Sequence, residues 1–189
     1  MVKKRLLLVV LNSLICIVVS AQKFIPPAEG NAVVYIVRTS SFGSALNFRV
    51  FHNENFVGIF KGKGYIRYEL PAGEQLLWFV SEKKKFLACE LKSGGTYIIS
   101  STHSLGVVKN NVVINPISSD NSQFESCKNV ILKGKEITTS DKKKASIESS
   151  LSNSNFIDTT LKQYHEEPKF EKRTKEITPE MAIPLIKLQ

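Results

Sequence analysis

Apolar and polar residues alternate over 65–70, with Ile66, Tyr68 and Leu70 on one side and Tyr65, Arg67 and Glu69 on the other. Such alternation predicts a half-buried strand. Pro71-Ala72-Gly73-Glu74 interrupts it with one residue that presets φ and another that tolerates positive φ. A second apolar run follows through Val80, so 65–80 reads as strand, tight turn, strand, the central hairpin of the chain. The same reading predicts strands over 32–38, 46–51, 56–60, 86–91, 96–101 and 112–117, separated by Gly, Asn and Ser turns. Residues 130–132 extend the series as an edge strand. About eight short strands at regular spacing, with no helical pattern among them, predict an all-β antiparallel sandwich.

The pattern changes after Lys133. Residues 133–150 are rich in Lys, Ser and Thr and read as a linker. Ile147, Leu151, Ile157, Leu161 and Tyr164 approximate one helical stripe, weakened by Asn153-Ser154-Asn155 and stopped by Pro168. Thr178-Pro179-Glu180 resembles a helix start, but Pro184 leaves room for barely one turn. Residues 133–189 therefore read as a basic linker, a weak helix and a tail, unnecessary for the sandwich to fold.

One strand exceeds this scheme. Over 76–80, Leu77 and Phe79 face one way while Leu76, Trp78 and Val80 face the other, so both faces are apolar. An antiparallel sandwich strand commonly leaves one face wet. The face of Leu76, Trp78 and Val80 is thus the candidate docking face. Its cover is the weak helix, an envelope protein or self-association.

The ends add a compartment. Lys3, Lys4 and Arg5 precede an apolar stretch over 6–19, and Val19-Ser20-Ala21 supplies the small residues of a cleavage site. This is the pattern of an export signal over 1–21, too short to span a bilayer as a helix. Cys16 follows Ser13-Leu14-Ile15, and the bulky Ile15 argues against a lipid attachment site. Cleavage removes three of 26 Lys and Arg and none of 17 Asp and Glu, lowering the net charge from +9 to +6. The excess lies mostly in the tail and forms no folded basic face with aromatics, so nucleic acid is not an expected partner. Cys89 and Cys127 remain; an exported compartment permits a disulfide between them, and buried thiols are the other reading.

Candidate chemistry is sparse. His52, His103 and His165 are solitary, none at metal-ligand spacing, and read as solvated loop histidines. No nucleophile elbow or phosphate-cradling glycine motif occurs. Cys89 alternates with Leu87 and Leu91, which places it in a core, whereas a reactive thiolate needs an electropositive, accessible site. Glu69 and Glu74 flank the Pro-Ala-Gly turn and read as solvated acids. No catalytic, cofactor or metal residue is assigned.

The segments Val34-Tyr35-Ile36-Val37-Arg38, Tyr68-Glu69-Leu70-Pro71-Ala72-Gly73-Glu74 and Gly95-Thr96-Tyr97-Ile98-Ile99, with the late Cys127-Lys128, follow one another in an order that resembles bacterial domain-of-unknown-function family 2846. The resemblance covers about residues 30–132. It implies a small exported β-sandwich, in many members an envelope lipoprotein, and no established activity. This chain departs in lacking a lipobox, in carrying Asn53-Glu54-Asn55 where an Asp-Gly turn is usual, and in its long tail. The combined expectation is a signal peptide over 1–21, an immunoglobulin-like or transthyretin-like sandwich over 22–132 and a flexible, partly helical tail over 133–189. The expected role is a non-catalytic binding or structural module of the cell envelope, periplasmic or secreted. The alternative is a small secreted hydrolase with a loop-built site.

Overall fold

A computed structural model describes residues 24–41, 47–104, 111–167 and 174–188. The expected export segment over 1–21 lies outside them.

Eight strands occur in the stretches where alternation or β-branched runs predict them: β1 (Asn31–Arg38), β2 (Phe48–His52), β3 (Asn55–Phe60), β4 (Gly64–Pro71), β5 (Gly73–Val80), β6 (Lys84–Leu91), β7 (Thr96–Ser104) and β8 (Asn111–Ile117). Three helices follow, α1 (Phe124–Lys133), α2 (Asp141–Asn153) and α3 (Phe156–Glu166), then β9 (Lys175–Ile177), a 3₁₀ turn (Pro179–Met181) and α4 (Leu185–Leu188). One sheet has the order β4-β1-β7-β8 and the other β3-β2-β5-β6-β9.

The all-β antiparallel expectation is corrected on two counts. Both sheets are mixed, because β1 pairs with β7 and β6 with β9 in parallel. Helices also form part of the fold. The physical reason is visible in β1, where every residue from Ala32 to Arg38 is buried. A strand buried on both faces needs a layer on each side. Ala32, Val34 and Ile36 enter the core between the sheets with Phe48, Phe79 and Leu87. Val33, Tyr35 and Val37 face outward and are covered by Phe124, Cys127, Val130 and Ile131 of α1. Those four buried side chains have helical spacing, so residues 130–132 belong to a helix and form no edge strand.

The reading of 65–80 as a hairpin is also corrected. β4 pairs with β1 in the first sheet, whereas β5 pairs with β2 and β6 in the second. The Pro71-Ala72-Gly73 corner carries the chain between sheets. Gly73 takes φ 95° there, a left-handed backbone that a side chain would strain, and the Ala72 N–H is tied to the Gly30 carbonyl at 3.0 Å.

Residues 133–189, expected as linker and tail, supply structure to both sheets. Tyr65 at the β4 edge exchanges bonds with the Lys135 carbonyl and the Ile137 N–H, and the Ile59 N–H of β3 donates to Thr139 Oγ1 at 2.9 Å. The interrupted helical stripe resolves into two helices, because Asn155 adopts φ 47° between them. Together they cover the face offered for docking by Leu76, Trp78 and Val80. Trp78 is fully buried and Val80 is 7% exposed, in one cluster with Phe51, Phe56, Phe86 and Leu151. The cover is therefore the chain's own. Among the described residues, no helix is long and apolar enough to cross a membrane.

Candidate functional site

The outer face of the second sheet is only partly roofed by α3. The Trp78 indole stacks on Phe51 at 3.8 Å, Tyr164 lies 4.6 Å from Phe86, and Lys84 Nζ donates to Gln163 Oε1 at 3.0 Å, pinning the helix to β6. Beyond Tyr164 and His165 the roof ends. A groove of about 560 Å³ opens between α3, the start of β5, the end of β6 and β9. That volume lies in the range of small-ligand sites.

The groove combines an apolar floor with an acidic rim. Leu76, Ala88, Leu161 and Ile177 supply apolar surface, and Glu54, Glu74, Glu90 and Glu176 supply carboxylates. Strand register explains the grouping. Glu74 stands directly across from Glu90 in the β5–β6 ladder, and Ala88 across from both Leu76 and Glu176. Like charges directly opposite one another are unfavourable in a sheet. The resulting field favours a cation.

The far wall is a network of neutral polar groups. Asn53, at φ 48°, donates its N–H to the Leu76 carbonyl at 2.8 Å and accepts the Leu76 N–H on Oδ1 at 3.1 Å. Its carbonyl accepts the Trp78 indole N–H at 2.8 Å. The Asn53 amide also donates to Gln75 Oε1 at 3.2 Å. His52 Nε2 lies 2.7 Å from that same oxygen and donates to it, which leaves Nδ1 to accept from the Tyr68 hydroxyl at 3.0 Å. His52 thus links the two sheets. It is buried rather than a solvated loop residue, as the sequence suggests.

The remaining sequence candidates separate. His165 lines the groove, and the backbone of His103 lies in β7. Glu69 accepts from the Ala28 N–H at 2.7 Å, Asn31 Nδ2 at 3.1 Å and Arg67 at 3.0 Å, and these bonds hold its carboxyl below the usual range. It anchors the entry to β1 and does not join Glu74. Cys89 and Cys127 are free thiols, which corrects the disulfide reading. Cys89 lies in the core between the sheets and Cys127 beneath α1 on the outer face of the first sheet, so a sheet stands between them. Burial pushes Cys89 up to about 12 and Cys127 up to about 11, far from the thiolate range of a nucleophile. Among the described residues, no group of three or more His, Cys, Asp and Glu side chains is placed to hold a metal ion.

Sequence reading singles out Glu74 and His165, reads Thr178 only as part of a helix start, and passes over Glu90 and Glu176. The available signal is the outward parity of Glu74 and Glu90 in consecutive strands; β9, at three residues, has no period to detect. No family model matches the chain, and a search of the curated proteins finds no match.

Proposed function

We propose that the chain is an exported, non-catalytic binding module of a bacterial cell envelope, and that its ligand occupies the groove beside α3. The observation that carries this reading is the groove itself, with carboxylates gathered over an apolar floor. A ligand joining a cationic group to an apolar body matches both halves. The non-catalytic half is supported by how the reactive side chains are used. Both thiols are buried and protonated, and both His52 nitrogens are engaged with neutral partners. Export rests on the charged start, apolar run and small residues of 1–21, and the envelope role on the resemblance to family 2846.

Trp78 reports on the groove, because its indole N–H binds the carbonyl of the groove residue Asn53. Titration with a leucyl-arginine dipeptide as probe is expected to shift Trp78 emission saturably. Glu74→Gln with Glu90→Gln is expected to abolish the shift. No saturable response, or the same response in the double variant, overturns the groove assignment. Export is checked separately by N-terminal mass analysis of protein from the producing bacterium. A start at Gln22 is expected; an intact Met1 or a lipid on Cys16 overturns it.

A further inference from the structure

Within the second sheet, β2, β5, β6 and β9 are consecutive neighbours, and each brings one carboxylate to the groove. Glu54 lies in the turn after β2, Glu74 near the start of β5 and Glu90 near the end of β6. Glu176 belongs to β9, at the start of the C-terminal arm over residues 174–188. Glu74 stands opposite Glu90, and Glu176 is diagonal to Glu90 because it pairs with Ala88. Direct opposites in an antiparallel ladder lie about 5 Å apart. Neighbouring strands are about 4.8 Å apart, so the four positions form a row spanning about 15 Å across the strands. All four glutamates are exposed, and among the described residues none of their carboxylates has an ion-pair or hydrogen-bond partner. Among the described residues lining the groove, His165 is the one basic side chain. In a chain with 26 Lys and Arg against 17 Asp and Glu, this segregation leaves a local negative field without its counter-charge.

A compact cation does not match this arrangement. Among the described residues, no three such groups are placed to hold a metal ion; carboxylates strung along a row match positive charges strung at intervals. The surface beside the row is apolar. Leu76 and Ala88 face one another two residues further along the ladder from Glu74 and Glu90, on the same side of the sheet, and Leu161 of α3 adds to them. We propose that the ligand of this groove is a linear aliphatic polyamine, extended across the strands. Its ammonium groups meet the carboxylates, and its methylene segments leave water against Leu76, Ala88 and Leu161. Such a ligand has no anionic group for the row to repel. The net charge of +9 on the chain opposes a polycation elsewhere on the surface, so the groove is where attraction is concentrated. The inference rests on the proposed groove reading and narrows its ligand, a cationic group joined to an apolar body, to repeated ammonium and methylene units.

The test titrates the full chain by calorimetry, at fixed salt, with putrescine, spermidine, spermine and the leucyl-arginine dipeptide. Affinity is expected to rise by roughly two- to fivefold with each ammonium added along the series, the range that exposed charge pairs span, and spermidine is expected to bind more tightly than leucyl-arginine. Glu176→Gln is expected to weaken spermidine by a similar factor. Glu148→Gln, the same charge change on α2 outside the groove, is expected to leave it unchanged. Should Glu176→Gln disturb β9, Glu54→Gln at the other end of the row gives the same comparison. Saturable binding of leucyl-arginine with spermidine no tighter overturns the polyamine assignment and leaves the groove reading standing. Equal losses in Glu176→Gln and Glu148→Gln reduce the attraction to a diffuse field and overturn the assignment as well. If neither spermidine nor leucyl-arginine binds, the groove reading itself falls, and this inference with it.

Discussion

Cys89 and Cys127 show what burial does at the scale of single residues. A thiol with the ordinary value of 9.0 titrates near about 12 at Cys89 and about 11 at Cys127 in the folded chain, because desolvation opposes the thiolate. The native state keeps protons that the unfolded chain gives up. The stability this represents is fully present below pH 9.0 and is lost as pH rises through the folded values. Tyr35, Tyr68 and Tyr97 shift the same way for the same reason. Arg38 opposes them. Its guanidinium lies over the Phe48 and Phe60 rings at 5.1 and 5.0 Å, and burial lowers it from the ordinary guanidinium value to about 10. The unfolded chain holds that proton more tightly, so Arg38 adds stability as pH rises above about 10. Burial also lowers Lys84 from its ordinary 10.5, with the same sign as Arg38, so over the interval from about pH 9 to about pH 10 the thiol contribution is read by comparison with a variant lacking one thiol. Thermal melts across that interval are expected to show a falling Tm, with a shallower fall in Cys89→Ala. The comparison is between slopes, since removing the sulfur also costs packing at every pH. Equal slopes in the two proteins contradict the thiol assignment.

At the scale of elements, the strands are legible in the sequence but their partners are not. Alternation or a β-branched run marks each strand from β1 to β8, because the two-residue period of a pleated strand is a local property. Membership of a sheet is not local. Pro71-Ala72-Gly73 has the composition of a turn whether the chain folds back beside itself or crosses to the other sheet, and here it crosses. The three apolar residues at 130–132 imitate a strand; only with Phe124 and Cys127 included does the helical spacing of α1 emerge. The two-faced apolar character of Trp78's strand is the clearest correct signal of a further layer. Leu151, Ile157 and Leu161 are the residues that meet it. The groove was far less legible. Its acidic rim arises where one ladder sets Glu74 opposite Glu90 and a second sets Glu176 opposite Ala88, diagonal to Glu90. The second of those ladders depends on a strand of three residues with only one buried side chain.

Taken as a whole, the molecule is two facing sheets with an apolar cluster on each outer face as well as between them. Its stability depends on residues distant in sequence from the strands they cover. A chain ending at Leu132 keeps β1 to β8 but loses the bonds to Tyr65 from Lys135 and Ile137, the Thr139 bond to β3, both helices over Trp78 and the whole arm. The helix-covered cluster alone contains Phe51, Phe56, Trp78, Val80 and Phe86. At roughly 1.5–3 kcal/mol for each large apolar side chain left wet, the loss approaches about 7–15 kcal/mol. This matches the whole net stability of a typical domain, about 5–15 kcal/mol. The sequence alone suggests that residues 133–189 are dispensable; the packing points the other way. A chain ending at Leu132 is expected to lose its cooperative melt and show red-shifted Trp78 emission without denaturant. One ending at Glu167 keeps the helical cover and loses only the arm, so it is expected to melt cooperatively at a lower Tm with Trp78 emission still blue. Comparing the two by circular dichroism and fluorescence assigns the stability to helices or arm. A chain ending at Leu132 that retains both a cooperative melt and blue emission shows that the two sheets hold Trp78 without the helices, and the layered account fails.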